Sequence, residues 1–170
     1  MTLNVKQLKL APGRAFPIMG EVELPAIEHE GMIMAFTTRL HFQGEAVYLP
    51  ETIYLTLQIK AQVERECSRC LKHYTVSIER EEEIALREER DVGLEDDDFA
   101  YPDGAEEVDL APYLESLVLG ALDPKPLCRP DCRGICPYCG ADLNEEGHRP
   151  GCPALQREVD PRLAQLAELL

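Results

Sequence analysis

From Thr52 to Val63 the chain is apolar at every second position: Ile53, Leu55, Leu57, Ile59, Ala61 and Val63 share one side, while Thr52, Thr56, Gln58, Lys60 and Gln62 take the other. A period of two held this long is a strand with one buried and one wet face, the pattern of an antiparallel sheet. The strand runs into Cys67-Ser68-Arg69-Cys70. A second alternating stretch, Tyr74, Val76 and Ile78, follows and extends towards Ile84 and Leu86, with Glu79, Glu81 and Glu83 outward. The cysteine pair therefore occupies the tight connection between two antiparallel strands.

The rest of the 170 residues is arranged around that hairpin. Residues 1–10 alternate weakly and read as an edge strand, broken by Pro12, Gly13, Pro17 and Gly20. Met32 to Phe42 is strand-like, Gln43-Gly44-Glu45 reads as a turn, and Ala46 to Leu49 as a short strand. Residues 91–108 are charged and poor in apolar side chains, the composition of a loop or linker. Asp109 can cap a helix with Pro112 in its first turn and Leu110, Leu114, Leu117, Val118, Ala121 and Leu122 at helical spacing. Asp123-Pro124-Lys125-Pro126 stops it. A short terminal helix is expected from Asp160-Pro161, with Leu163, Leu166, Leu169 and Leu170 on one face. No internal repeat is found. The expected fold class is α+β: an antiparallel β-domain over 1–90, an acidic linker over 91–108, and over 109–170 one packed helix followed by a Cys-rich tail and a short helix.

Charge narrows the function. The net charge is −15, and residues 79–109 hold 15 of the 32 acids with only Arg80, Arg87 and Arg90 against them, so that this segment carries −12 and the remainder −3. A field of this sign opposes indiscriminate phosphate binding. No run approaches the ~18 apolar residues of a membrane span, and the start lacks the apolar core of a secretory signal, so the expectation is a cytoplasmic protein without a membrane partner. Phosphate loops, dinucleotide fingerprints and nucleophile elbows are missing. The acids are too clustered to single out a general acid–base pair. A non-enzyme without a small-molecule substrate is expected.

Seven cysteines in a reducing compartment point to metal and away from disulfides. Cys128, Cys132, Cys136, Cys139 and Cys152 fall within 25 residues, apart from the pair Cys67 and Cys70. Zinc takes four tetrahedral thiolate or imidazole ligands delivered in pairs from tight turns. Cys136-Pro137-Tyr138-Cys139-Gly140 has that form, with Gly140 free to adopt a positive φ. Two ligand sets follow. Cys128, Cys132, Cys136 and Cys139 make one compact tetrathiolate. Alternatively the seven cysteines and His148 make two tetrahedra, Cys136, Cys139, His148 and Cys152 in one and Cys67, Cys70, Cys128 and Cys132 in the other, and the ligand count favours this division. A thiol redox pair at Cys67 and Cys70 is the rival reading, although redox pairs open a helix and this one joins two strands.

Cys67-Ser68-Arg69-Cys70-Leu71, Val108-Asp109-Leu110-Ala111-Pro112-Tyr113-Leu114 and the run from Lys125 through Cys128, Cys132, Cys136 and Cys139 to Asn144 resemble the YceD family of large ribosomal RNA subunit accumulation proteins. The resemblance covers roughly residues 30–155. It departs after the Leu143-Asn144 pair, where many relatives place two close cysteines and this chain has His148 and Cys152. The resemblance implies a role in accumulation and processing of large-subunit ribosomal RNA, with ribosomal RNA, a large-subunit ribosomal protein, or both as partners. Arg69, Arg129 and Arg133, with Lys125, Arg149, Arg65 and Lys72 nearby in sequence, are the candidate RNA-facing residues if a metal gathers them. A protein-only adaptor that holds a basic ribosomal protein on the acidic segment is the second reading.

Overall fold

A computed structural model describes residues 1–29, 32–92 and 99–156. It divides into two compact units. The first is built from Met1–Arg65 and Tyr74–Pro124, the second from Glu66–His73 and the chain from Lys125 onward. The four-residue acidic run Glu95 to Asp98 and the expected terminal helix lie outside the described residues.

Among the described residues the first unit has a mainly antiparallel seven-stranded sheet, a separate two-stranded sheet of its first and last strands, and two α-helices. Its strands are β1 (Thr2–Asn4), β2 (Ala15–Val22), β3 (Ile27–His29), β4 (Met32–Phe36), β5 (Leu40–Leu49), β6 (Thr52–Glu66), β7 (His73–Glu88), β8 (Phe99–Tyr101) and β9 (Glu107–Asp109), and its helices are α1 (Val5–Lys9) and α2 (Ala111–Ala121). β6 is the spine. It pairs with β5, β4 and β7, and its burial alternates residue by residue, with Ile53, Leu55, Leu57, Ile59 and Val63 almost wholly enclosed. β5 pairs antiparallel with both β6 and β2. β8 runs parallel to the end of β7.

Several segments depart from the sequence reading. β5 continues straight through the expected Gln43-Gly44-Glu45 turn, because Gly44 lets β5 approach β6: a Cβ at Gly44 would lie 1.9 Å from the Thr56 carbonyl oxygen. Pro17 and Gly20 sit inside β2, whose outer edge needs no N–H from Pro17 among the described residues. The expected N-terminal edge strand is only β1. It gives way at Asn4, whose side chain accepts the Gln7 N–H at 2.7 Å and caps α1, and Val5 and Leu8 on this helix are buried.

The stretch expected as a linker over 91–108 carries strands at its described end. β8 extends β7, and β9 pairs with β1, setting Leu3 opposite Val108 with both buried. α2 begins close to the expected place, but its N-cap is Leu110, which makes no side-chain cap bond, and Asp109 ends β9 one residue earlier. Asp109 accepts the Ala111 N–H at 3.2 Å and the terminal ammonium at 3.0 Å, and that ammonium holds its carboxyl below the ordinary value. Leu110, Leu114 and Val118 turn into the core. The helix ends where Leu122 becomes extended, short of Pro124.

Candidate metal centre

Among its described residues the second unit has almost no regular secondary structure, and these are ordered by turns and by side chains that converge. Two turns are copies of one another. In the first, Leu71 N–H donates to Cys67 O at 2.9 Å and Cys67 N–H to Lys72 O at 3.0 Å. In the second, Gly140 N–H donates to Cys136 O at 2.9 Å and Cys136 N–H to Ala141 O at 2.9 Å. The residue after the second cysteine is left-handed in both, Leu71 at φ 59° and Gly140 at φ 69°. Two-residue spacing and this reversal aim both sulfurs of a turn the same way.

The remaining donors come from two matched loops, Cys128-Arg129-Pro130-Asp131-Cys132 and His148-Arg149-Pro150-Gly151-Cys152. Cys132 N–H donates to Arg129 O at 3.1 Å, and Cys152 N–H to Arg149 O at 3.0 Å. The unit thus contains a repeat, a C-x-x-C turn followed by a five-residue loop with a donor at each end. The sequence shows no repeat, because fifty-seven residues separate Cys70 from Cys128 but only eight separate Cys139 from His148, and one donor has changed from Cys to His.

The donors fall into two groups. The ligand atoms of Cys67, Cys70, Cys128 and Cys132 lie within 4.8 Å of one another, as do those of Cys136, Cys139, His148 and Cys152. This is the divided arrangement, and Cys128 and Cys132 do not share a group with Cys136 and Cys139. The Sγ atoms of Cys67 and Cys132 are 3.7 Å apart, those of Cys70 and Cys128 3.6 Å, and those of Cys136 and Cys152 3.7 Å. His148 Nδ1 is 3.6 Å from Cys152 Sγ. All seven cysteines are free, and a disulfide would need about 2.0 Å. Tetrahedral zinc at about 2.3 Å from sulfur and 2.0–2.1 Å from nitrogen spaces its ligands about 3.8 Å (S to S) and about 3.5 Å (S to N). Both groups fit that ion in number, chemistry and spacing.

The electrostatics agree. Burial works to raise the Cys67 thiol, but the backbone N–H groups of Cys128, Cys70 and Arg69 outweigh it and bring the thiol down to about 6. Backbone N–H groups of Arg149 and Ala141 bring Cys139 down to about 6. Neighbouring thiols go the other way: burial pushes Cys128 up to about 12 and raises Cys152. Cys70 has the Lys72 N–H favouring its thiolate, yet burial and Cys67 leave it raised. The first group thus favours one thiolate, Cys67, and disfavours Cys70 and Cys128, while the second favours Cys139 and disfavours Cys152. A dication held there would supply the charge that lets the others ionise.

Around the first group lies an outer shell that the spacing of cysteines does not reveal. The Asn144 side-chain amide donates to Cys132 Sγ at 3.6 Å and to Asp142 Oδ1 at 2.8 Å, and its oxygen accepts from Arg133 N–H at 2.7 Å and Arg129 Nη2 at 2.9 Å. Lys72 pairs with Asp142 at 2.8 Å and with Glu145. The Lys72 ammonium holds the Asp142 carboxyl down at about 2. Of the expected RNA-facing residues, Arg69 donates through Nη1 to Cys132 O at 2.7 Å, and Arg129 is shared between Asn144 and Asp131. Both hold loops. The Arg133 and Arg149 side chains are exposed.

A family model described as "Large ribosomal RNA subunit accumulation protein YceD" matches residues 55–170, from β6 through both donor groups. Uncharacterized proteins of Mycobacterium bovis and Mycobacterium tuberculosis are 31% identical over 189 aligned residues, covering 100% of this chain and 81% of theirs. No solved structure matches. No helix among the described residues is long and apolar enough to cross a membrane. With the C-x-x-C turn on β6, the matched loops and the Cys-rich run all inside the matched region, this chain belongs to the YceD family of large ribosomal RNA subunit accumulation proteins.

Proposed function

We propose that this chain supports accumulation of large-subunit ribosomal RNA as a non-enzymatic binding factor whose second unit is organised by two zinc ions, one held by Cys67, Cys70, Cys128 and Cys132 and the other by Cys136, Cys139, His148 and Cys152. The observation that carries this reading is the convergence of eight soft donors into two groups at tetrahedral spacing. Both sets are closed, with four protein donors and no position left for a substrate, which is the form of a structural and not a catalytic zinc site. The zinc supplies folding free energy to a segment with little core of its own.

The test has two arms. Metal analysis of the reduced, untagged chain should give two zinc equivalents, and Cys67→Ser with Cys70→Ser should leave one. In cells lacking the chain, the parent should restore mature large-subunit ribosomal RNA and the double variant should not. Full restoration by the double variant would remove the first zinc site from the function.

A second reading, a protein-only adaptor for a basic ribosomal protein, is favoured by the outward row Glu79, Glu81 and Glu83 on β7 and by the net charge of −15. Capturing the full chain from lysate with and without RNase separates the two. Ribosomal protein retained after RNase supports the adaptor, and loss of all partners supports contact through RNA.

A further inference from the structure

We propose that the two donor groups take up metal as a pair, because the segment between Cys139 and His148 is at once the span of the second site and the outer shell of the first, with Asn144 as the positioning residue. This rests on the zinc reading above and goes beyond it. Two separate zinc sites would fill independently; these share their supports.

The connection is physical in both directions. Residues 140–147 leave the second site at Cys139 and return to it at His148. On the way, Asp142 and Glu145 pair with Lys72, two residues beyond Cys70, and Asn144 contacts Cys132 Sγ while gathering Arg129 and the Arg133 N–H that flank that cysteine. Conversely, residues 133–135 leave the first site at Cys132 and enter the second at Cys136. Along them Ile135 N–H donates to Arg69 O at 2.9 Å inside the first turn, and Leu143 N–H donates to Gly134 O at 2.9 Å. The Gly134 position is so tight that an added Cβ would lie 2.8 Å from Arg69 O.

Fixing Cys139 and His148 on one metal pins both ends of an eight-residue segment and so lowers the entropy still to be lost when Asp142, Asn144 and Glu145 settle against the first site. The first metal in turn fixes Cys132 and the three-residue link 133–135 that feeds Cys136. Such coupling is reciprocal by thermodynamic necessity.

The experiment titrates the reduced, metal-free full chain with zinc(II) and with cobalt(II). Native mass spectrometry counts metals per chain, and competition with a chromophoric chelator gives affinities. The parent should pass from zero to two metals with little one-metal species. His148→Ala removes an exposed donor of the second site only, and it should weaken the first site about tenfold or more. Asn144→Ala replaces no donor but removes the amide against Cys132 Sγ, and it should weaken the first site by about 10–100-fold, the usual effect of losing an outer-shell partner, and let one-metal species accumulate. The thermal transition of the β-sheet unit, which contains no donor, should stay unchanged in both variants and so marks folded chain. If zero, one and two metals appear in statistical proportion, or both variants keep the first site's affinity within about twofold, the pairing is overturned while the two-site reading stands. If the parent binds no metal, both fall.

Discussion

Gly140 and Leu71 occupy the same left-handed place in the two cysteine turns, and only one of them is a glycine. An L-residue there is strained by about 1–2 kcal/mol, against which glycine's greater freedom in the unfolded chain weighs about 0.5–1 kcal/mol. Leu71→Gly should therefore stabilise the metal-loaded chain by up to about 1 kcal/mol, read as a higher denaturant midpoint. A lower midpoint would mean that contacts of the Leu71 side chain outweigh its backbone. Gly134 and Gly140 give a sharper comparison. Both have positive φ, but a Cβ at Gly140 meets open space and one at Gly134 meets the Arg69 backbone. Gly134→Ala should be worse than Gly140→Ala by about 1–3 kcal/mol, the range for overpacking a site that cannot yield. At this scale the two cysteine turns, Cys67 with Cys70 and Cys136 with Cys139, were legible, because two-residue spacing is local chemistry. Asn144 was not, since nothing in Leu143-Asn144-Glu145 says that the amide will face a sulfur twelve residues earlier in the chain. Nor could sequence show that Arg69 and Arg129 hold loops.

At the scale of elements, β6, most of β7 and α2 were readable because each carries its period along one continuous segment. The misreadings share a cause. Gly44 looks like a turn residue until a neighbouring strand is seen against it, and β1, β8 and β9 are three residues each, too short to show a period. They persist because each has a partner strand, not because of propensity. The same dependence on distant partners governs the buried ion pair. Glu88 on β7 is 5% exposed and meets Lys9 of α1 at 2.5 Å and Arg90 at 2.6 Å. The Lys9 hydrogen bond outweighs burial and holds the Glu88 carboxyl below its ordinary value of 4.5. A carboxyl lowered in the folded state stabilises fully above the unfolded value, and that contribution is lost as pH falls through the folded one. Glu88→Gln should lower stability at neutral pH by about 1–3 kcal/mol and flatten the acid limb of the stability curve below about pH 4.5. A variant with an unchanged acid limb would show that another carboxylate governs acid unfolding.

At the scale of the molecule, the first unit has a hydrophobic core from Leu3 to Val118, and the described residues of the second have in its place two groups of side chains that could hold metal. Chelation should therefore melt the second unit alone: the thiols become reactive and Tyr138 changes its fluorescence, while the sheet keeps its far-ultraviolet signal. Loss of both together would mean that the sheet depends on metal. Charge decides how RNA could be met. With −15 overall, direct binding has to be local and strongly salt-sensitive, each phosphate contact on a single strand adding about −0.7 to the slope of log affinity against log salt. Arg69 and Arg129 are poor probes of such contact, because changing them disturbs the loops that carry Cys132. Arg133 and Arg149 are the clean ones, since their side chains are exposed and neither is a donor. Arg133→Gln with Arg149→Gln should leave two zinc ions bound, weaken binding of ribosomal RNA fragments and reduce the slope by about 1.4, two contacts' worth. If parent and variant share one slope, those arginines do not touch phosphate, and the glutamates of β7 facing a basic ribosomal protein become the route by which this chain reaches the ribosome.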